Sequence, residues 1–130
     1  MTVKLRMQVK RIYDEPGEDD GRRVLVDRLW PRGISKDRAE LDDWAKELAP
    51  SSELRAWYHQ DREQRYDEFA ERYRQELDTR EQNERLDSLL DSADDPGVLT
   101  LLTAVKEDDE PRSHVPILLA VLQEAATGEK

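Results

Sequence analysis

Two stretches of this chain are apolar without polar alternation, residues 23–29 and 98–105. Val24, Leu25, Val26 and Leu29 carry the first, and Val98, Leu99, Leu101, Leu102, Ala104 and Val105 the second. Strands of this kind are buried on both faces, which points to a parallel sheet with both sides covered. Residues 3–9 read differently. Val3, Leu5, Met7 and Val9 alternate with Lys4, Arg6 and Gln8, the pattern of a half-buried strand.

Helical signals fill much of the rest. Ser35 is placed to cap a short helix over 36–40, and Ser51 or Ser52 a helix through Leu54, Trp57 and Tyr58. Over 62–78, Tyr66, Phe69, Ala70, Tyr73 and Leu77 form one apolar stripe on a charged rod; 81–93 repeats the pattern with Leu86, Leu89, Leu90 and Ala93. Residues 14–22 form an acidic loop, Pro96-Gly97 punctuates the chain before the second apolar strand, and a second acidic loop spans 107–110. Ser113 then caps a last helix over 115–126. Residues 41–49 fit two patterns. Leu41, Trp44, Ala45 and Leu48 make a helical stripe, whereas Trp44, Lys46 and Leu48 alternate as a strand ending at Pro50. With no repeat and no linker, residues 1–130 read as one small α/β domain, a mostly parallel sheet of about four strands flanked by helices.

Composition narrows the function. The net charge is −10, so duplex nucleic acid and anionic membranes are not expected partners unless positive charge is segregated. Residues 1–13 do carry Lys4, Arg6, Lys10 and Arg11 with no acid, while 61–95 hold six arginines against thirteen acids. There is no cysteine, which excludes disulfides, thiolate nucleophiles and Cys-ligated zinc. His59 and His114 match no metal spacing, and no metal or other cofactor is expected. No apolar run approaches membrane-spanning length, and the expectation is a soluble, cytoplasmic protein whose oligomeric state stays open. P-loop, dinucleotide-binding and nucleophile-elbow motifs are all missing.

Chemistry concentrates where the two apolar strands end. In open α/β sheets, ligands bind outside the carboxyl ends of strands. The first strand is followed by Asp27, Arg28, Trp30, Arg32 and Lys36; the second by Lys106 and then by Ser113 and His114 at a helix start. If the strands are parallel neighbours, these ends meet around an anion site. Asp27 or His114 would be its general base, and Arg28, Arg32, Lys46 and Lys106 would hold the anion. Each part also has a plainer meaning. Ser113 is an N-cap, Asp27 and Arg28 form an ion pair, His114 is a surface histidine, and Trp30, Trp44 and Trp57 are core residues rather than stacking platforms.

The string Arg23-Val-Leu-Val-Asp-Arg-Leu-Trp-Pro-Arg-Gly33, with Lys10-Arg11-x-Tyr13 and Asp20-Gly21 before it, resembles the YeaO-like branch of the domain-of-unknown-function 488 group. So do Trp44-x-Lys46-x-x-Ala49-Pro50-Ser51-x-x-Leu54-Arg55-x-Trp57, Phe69 to Tyr73, and Glu76-Leu77. The resemblance implies a strand in 41–49. Other branches of the group place a Cys-His-Arg motif after the last strand. This chain has Ser113-His114-Val115, so the histidine carries over and the thiol and arginine do not.

The expected function is an anion-binding pocket at the strand ends, serving as an enzyme on a phosphorylated or nucleotide-like small molecule. Its rival is a non-catalytic module binding protein or nucleic acid through Lys4, Arg6 and Lys10 and the tryptophan-rich loops. A metal-dependent hydrolase stands third, because the histidines have no matching partners.

Overall fold

The computed structural model describes residues 5–93, 97–106 and 108–127. Among the described residues four strands form one sheet: β1 (Leu5–Arg11), β2 (Arg22–Leu25), β3 (Asp43–Trp44) and β4 (Gly97–Thr103). Their order is β1-β4-β2-β3 and every pairing is parallel. The two apolar strands are therefore the central neighbours, with Leu25 opposite Leu102.

The missing alternation now has its cause. Val24, Val26, Leu99 and Leu101 face a large core built with helices α2 (Ser52–His59), α3 (Arg62–Leu77), α4 (Arg80–Ser92) and α5 (His114–Thr127). Leu25 and Leu102 face the opposite side, where Ile12, Ile34 and Ala39 close a smaller core with Tyr13, Trp30, Leu41 and Trp44. Ala39 lies on the short helix α1 (Lys36–Ala39), whose cap is the Ser35 hydroxyl accepting the Arg38 N–H at 3.1 Å. Both sheet faces are covered, so neither central strand has a solvent side.

Several boundaries differ from the sequence reading. Strand β1 runs on to Arg11, whereas Val3 and Lys4 lie outside the described residues, as do Pro96 and Glu107. Strand β2 stops at Leu25 rather than at residue 29, and Leu29, expected to be buried, is 63% exposed. The Val26 N–H still reaches Leu102 at 3.0 Å, but the next ladder position is taken by a side chain: the Asp27 carboxylate accepts the Ala104 N–H at 2.7 Å. The chain then leaves the sheet. Residues 41–49 hold only a two-residue strand; a 3-10 turn at Lys46–Leu48 follows and drops Leu48 into the main core.

The acidic loop 14–22 is not simply solvated. A 3-10 turn at Glu18–Asp20 buries Asp20, which pairs with Arg23 and with Lys10 at 3.0 Å. Burial alone would raise the Asp20 pKa; the Gly17 N–H, Lys10 and Arg23 outweigh it and hold the carboxyl below its ordinary range. Beside it, Gly21 sits at φ 61°, and a Cβ there would come within 2.3 Å of the Val98 carbonyl oxygen. Only glycine lets this turn lie so close to β4.

Candidate functional site

Because β2 and β4 are parallel neighbours, the residues following each strand converge, and Asp27 joins them. Its Oδ1 accepts the Thr103 hydroxyl and its Oδ2 the Ala104 N–H, each at 2.7 Å. An ion pair of Asp27 with Arg28 is not found among the described residues. Arg28 instead reaches the start of α2: Nε donates to the Pro50 carbonyl at 2.8 Å and Nη2 to the Ala49 carbonyl at 3.1 Å.

The loop beyond Arg28 is pinned at two more points. Trp30 Nε1 donates to the Ile34 carbonyl at 2.7 Å and its ring meets Trp44 edge-on at 5.4 Å. The Tyr13 hydroxyl donates to the Arg32 carbonyl at 3.0 Å. Trp44 Nε1 in turn donates to the Asp27 carbonyl at 2.6 Å. Trp57 lies elsewhere, with the Arg65 and Arg72 guanidinium carbons 4.7 and 4.4 Å from its ring centre.

His114 opens α5. Its Nε2 lies 2.9 Å from the Val26 carbonyl oxygen, and a carbonyl only accepts, so the proton sits on Nε2. The same nitrogen is 3.5 Å from Asp27 Oδ1, and Nδ1 has no hydrogen-bond partner among the described residues. Burial lowers the His114 pKa and Arg55 pushes the same way; Asp27 and the Val26 carbonyl oppose this without reversing it. The neutral ring thus presents Nδ1 as a free lone pair.

These groups border a cleft of about 510 Å³, within the range of small-molecule sites. Of the residues proposed from sequence, Asp27, Arg28, Trp30, Arg32, Ser113 and His114 line it. Lys36, Lys46 and Lys106 do not. Lys36 is exposed on the first turn of α1, and the Lys46 ammonium turns back over the Trp44 ring at 5.1 Å. Lys106 is exposed past β4, its carbonyl accepting the Asp109 N–H at 2.9 Å. Ser113 caps α5: its hydroxyl donates to the Glu110 carbonyl at 2.7 Å and accepts the Val115 N–H at 3.2 Å.

Sequence reasoning missed the opposite wall of the cleft. Arg55 and His59 from α2, Arg62 from α3 and Arg112 from the 3-10 turn Glu110–Arg112 also line it. With Arg28 and Arg32 that makes five arginines, and Asp27 is the lone carboxylate among the described lining residues. The guanidinium groups of Arg32, Arg55 and Arg112 make no hydrogen bond or ion pair with any described residue, while Arg62 is 3.8 Å from Asp109. Burial, then Arg55 and Arg62, lowers the pKa of His59, as burial and Arg55 do at His114. Arg55 thus pushes both histidines toward the neutral form, while Asp27 opposes it at His114. One signal was available: residues 55 and 59 are four apart and share a helix face.

A second, larger concavity of about 750 Å³ lies at the opposite ends of the strands. It sets Arg6 and Arg22 against Glu18, Asp19 and Asp42, so it has no comparable excess of one charge. Among the described residues no cluster of three metal-ligating side chains occurs, and no helix is long and apolar enough to cross a membrane.

The chain is similar to proteins described only as uncharacterized. It is 43% identical over 122 residues to Rv3073c of Mycobacterium tuberculosis, a match covering 94% of this chain and 98% of the relative. The same figures hold for Mb3100c of Mycobacterium bovis. YeaO of Escherichia coli is 49% identical over 78 residues, covering 60% of this chain and 67% of that protein. No solved structure matches significantly. The family model described as the inactive DUF488-N3 subclade matches residues 6–130. The chain belongs to that family, DUF488-N3i.

Proposed function

We propose that the cleft binds a small organic anion of the phosphate-ester class and holds it without turning it over. The observation that carries this is the charge of the lining: five arginines face one carboxylate already bound to β4, in a chain of net charge −10. Arg32, Arg55 and Arg112 line one cleft with no acid paired to them among the described residues, and an anion there would offset the repulsion between them. Guanidinium groups suit phosphate because their N–H donors match its oxygens in pairs. The first turn of α5 adds partial positive charge at the rim where Ser113 and His114 stand.

Two things favour binding over turnover. The family description calls this subclade inactive. Ser113, in the place where other branches carry a thiol, has its hydroxyl committed to the Glu110 carbonyl and the Val115 N–H. The enzyme reading keeps one supporting feature, the neutral His114 with a free Nδ1. The binding-module reading is weakened at Lys10, whose ammonium is held by Asp20, and Lys4 lies outside the described residues.

Titration calorimetry with a simple phosphate monoester tests the proposal. Saturable one-to-one binding is expected, with affinity reduced about tenfold in Arg55→Ala and again in Arg112→Ala, roughly the value of one charge-assisted hydrogen bond each. Absence of binding, or binding unchanged in both variants, would contradict it. Release of inorganic phosphate from the monoester, abolished in His114→Asn, would establish the enzyme reading instead.

A further inference from the structure

Resting on the anion-site reading and extending it, we propose that the ligand carries an apolar body, such as an aromatic ring, beside its phosphate, and that Leu29 receives it. Leu29 is 63% exposed, and no other large hydrophobic side chain among the described residues is exposed to that degree. It lines the cleft. Its exposure is not that of a loose tip. The flanking residues are tied down by Arg28 on the Ala49 and Pro50 carbonyls, by Trp30 on Ile34, and by Tyr13 on Arg32. A loop fastened on both sides of one exposed leucine holds that side chain ready for contact.

Arg55, His59, Arg62 and Arg112 come from α2, α3 and the turn before α5. The loop after β2 supplies Arg28 and Arg32 together with Leu29, so it sets an apolar contact beside cations. A bare phosphate would use the arginines, Arg32 of the loop included, and leave Leu29 unused. It would also fill a small part of a cleft of about 510 Å³, a volume suited to a ligand with a substantial apolar body. A ligand with a charged head and an apolar body satisfies the arginines and Leu29 together.

Calorimetry with three probes tests this on the full chain: inorganic phosphate, glycerol phosphate and phenyl phosphate, each with the wild type and with Leu29→Ser. Because Leu29 is exposed, the substitution removes contact area without opening the core. Phenyl phosphate is expected to bind at least tenfold more tightly than the other two. In Leu29→Ser that advantage should fall below threefold while the affinity for inorganic phosphate stays the same. Equal affinities for phenyl and glycerol phosphate in the wild type would overturn the inference and leave the anion site standing. So would an equal weakening of all three probes in the variant. Failure of every probe to bind would overturn the anion-site reading itself.

Discussion

At Asp27 one side chain serves both the sheet and the cleft. Both carboxylate oxygens are spent on β4, at Thr103 and Ala104, and the group also lies beside His114. In Asp27→Asn the amide cannot accept at both positions, and a buried donor loses its partner. Urea denaturation should show a loss of about 1–3 kcal/mol, the usual cost of an unsatisfied buried group. His114 gives a pH signature. Its folded pKa lies below the ordinary 6.5, so between that value and its folded pKa the unfolded chain binds a proton that the folded one refuses. Stability from this group is therefore complete above pH 6.5, falls as pH drops toward the folded pKa, and levels off below it. Comparison of wild type with His114→Gln across pH 5–8 isolates the effect from His59, which shifts in the same direction. A flat difference would contradict the buried neutral ring. That a carboxylate at the end of a buried strand needs partners follows from sequence; which partners it takes does not, because Thr103 and Ala104 come from 76 and 77 residues away.

Among the elements, the central strands were legible because β4 must be apolar on both faces, and every strong helix stripe matched a helix. What could not be read was where a strand stops. Nothing in Val26-Asp27 announces that a side chain will replace a ladder hydrogen bond, so the apolar run reads as buried through Leu29, which the structure leaves exposed. The acidic loop holds a turn, as its residues suggest, but sequence does not single out Asp20 among its neighbouring acids as the one buried against Arg23 and Lys10. Two glycines separate backbone conformation from close approach. Gly33, at φ 79° with open space around it, should cost only the left-handed penalty of about 1–2 kcal/mol on change to alanine. Gly21→Ala meets the Val98 backbone as well and should cost clearly more. Equal losses in a parallel denaturation series would show that the turn can move away from β4.

Over the whole molecule, positive charge is segregated in space rather than in sequence. Arg55, Arg62 and Arg112 lie among acids along the chain, so a linear reading joins Lys36, Lys46 and Lys106 to Arg28 and Arg32, and none of the three lysines lines the cleft. The exposed arginines should make ligand binding sensitive to salt, with affinity falling several-fold between about 0.05 and 0.5 M, where the screening length shrinks well below 10 Å. Duplex DNA should not bind measurably at about 0.15 M salt, because the chain is strongly acidic overall. The most direct measurement is anomalous diffraction from crystals soaked in tungstate, a tetrahedral oxyanion visible by its heavy atom. The account predicts one dominant peak within hydrogen-bond reach of Arg55 and Arg112, on the side of the cleft facing Leu29. A dominant peak elsewhere on the surface, or an empty cleft at saturating tungstate, would contradict it.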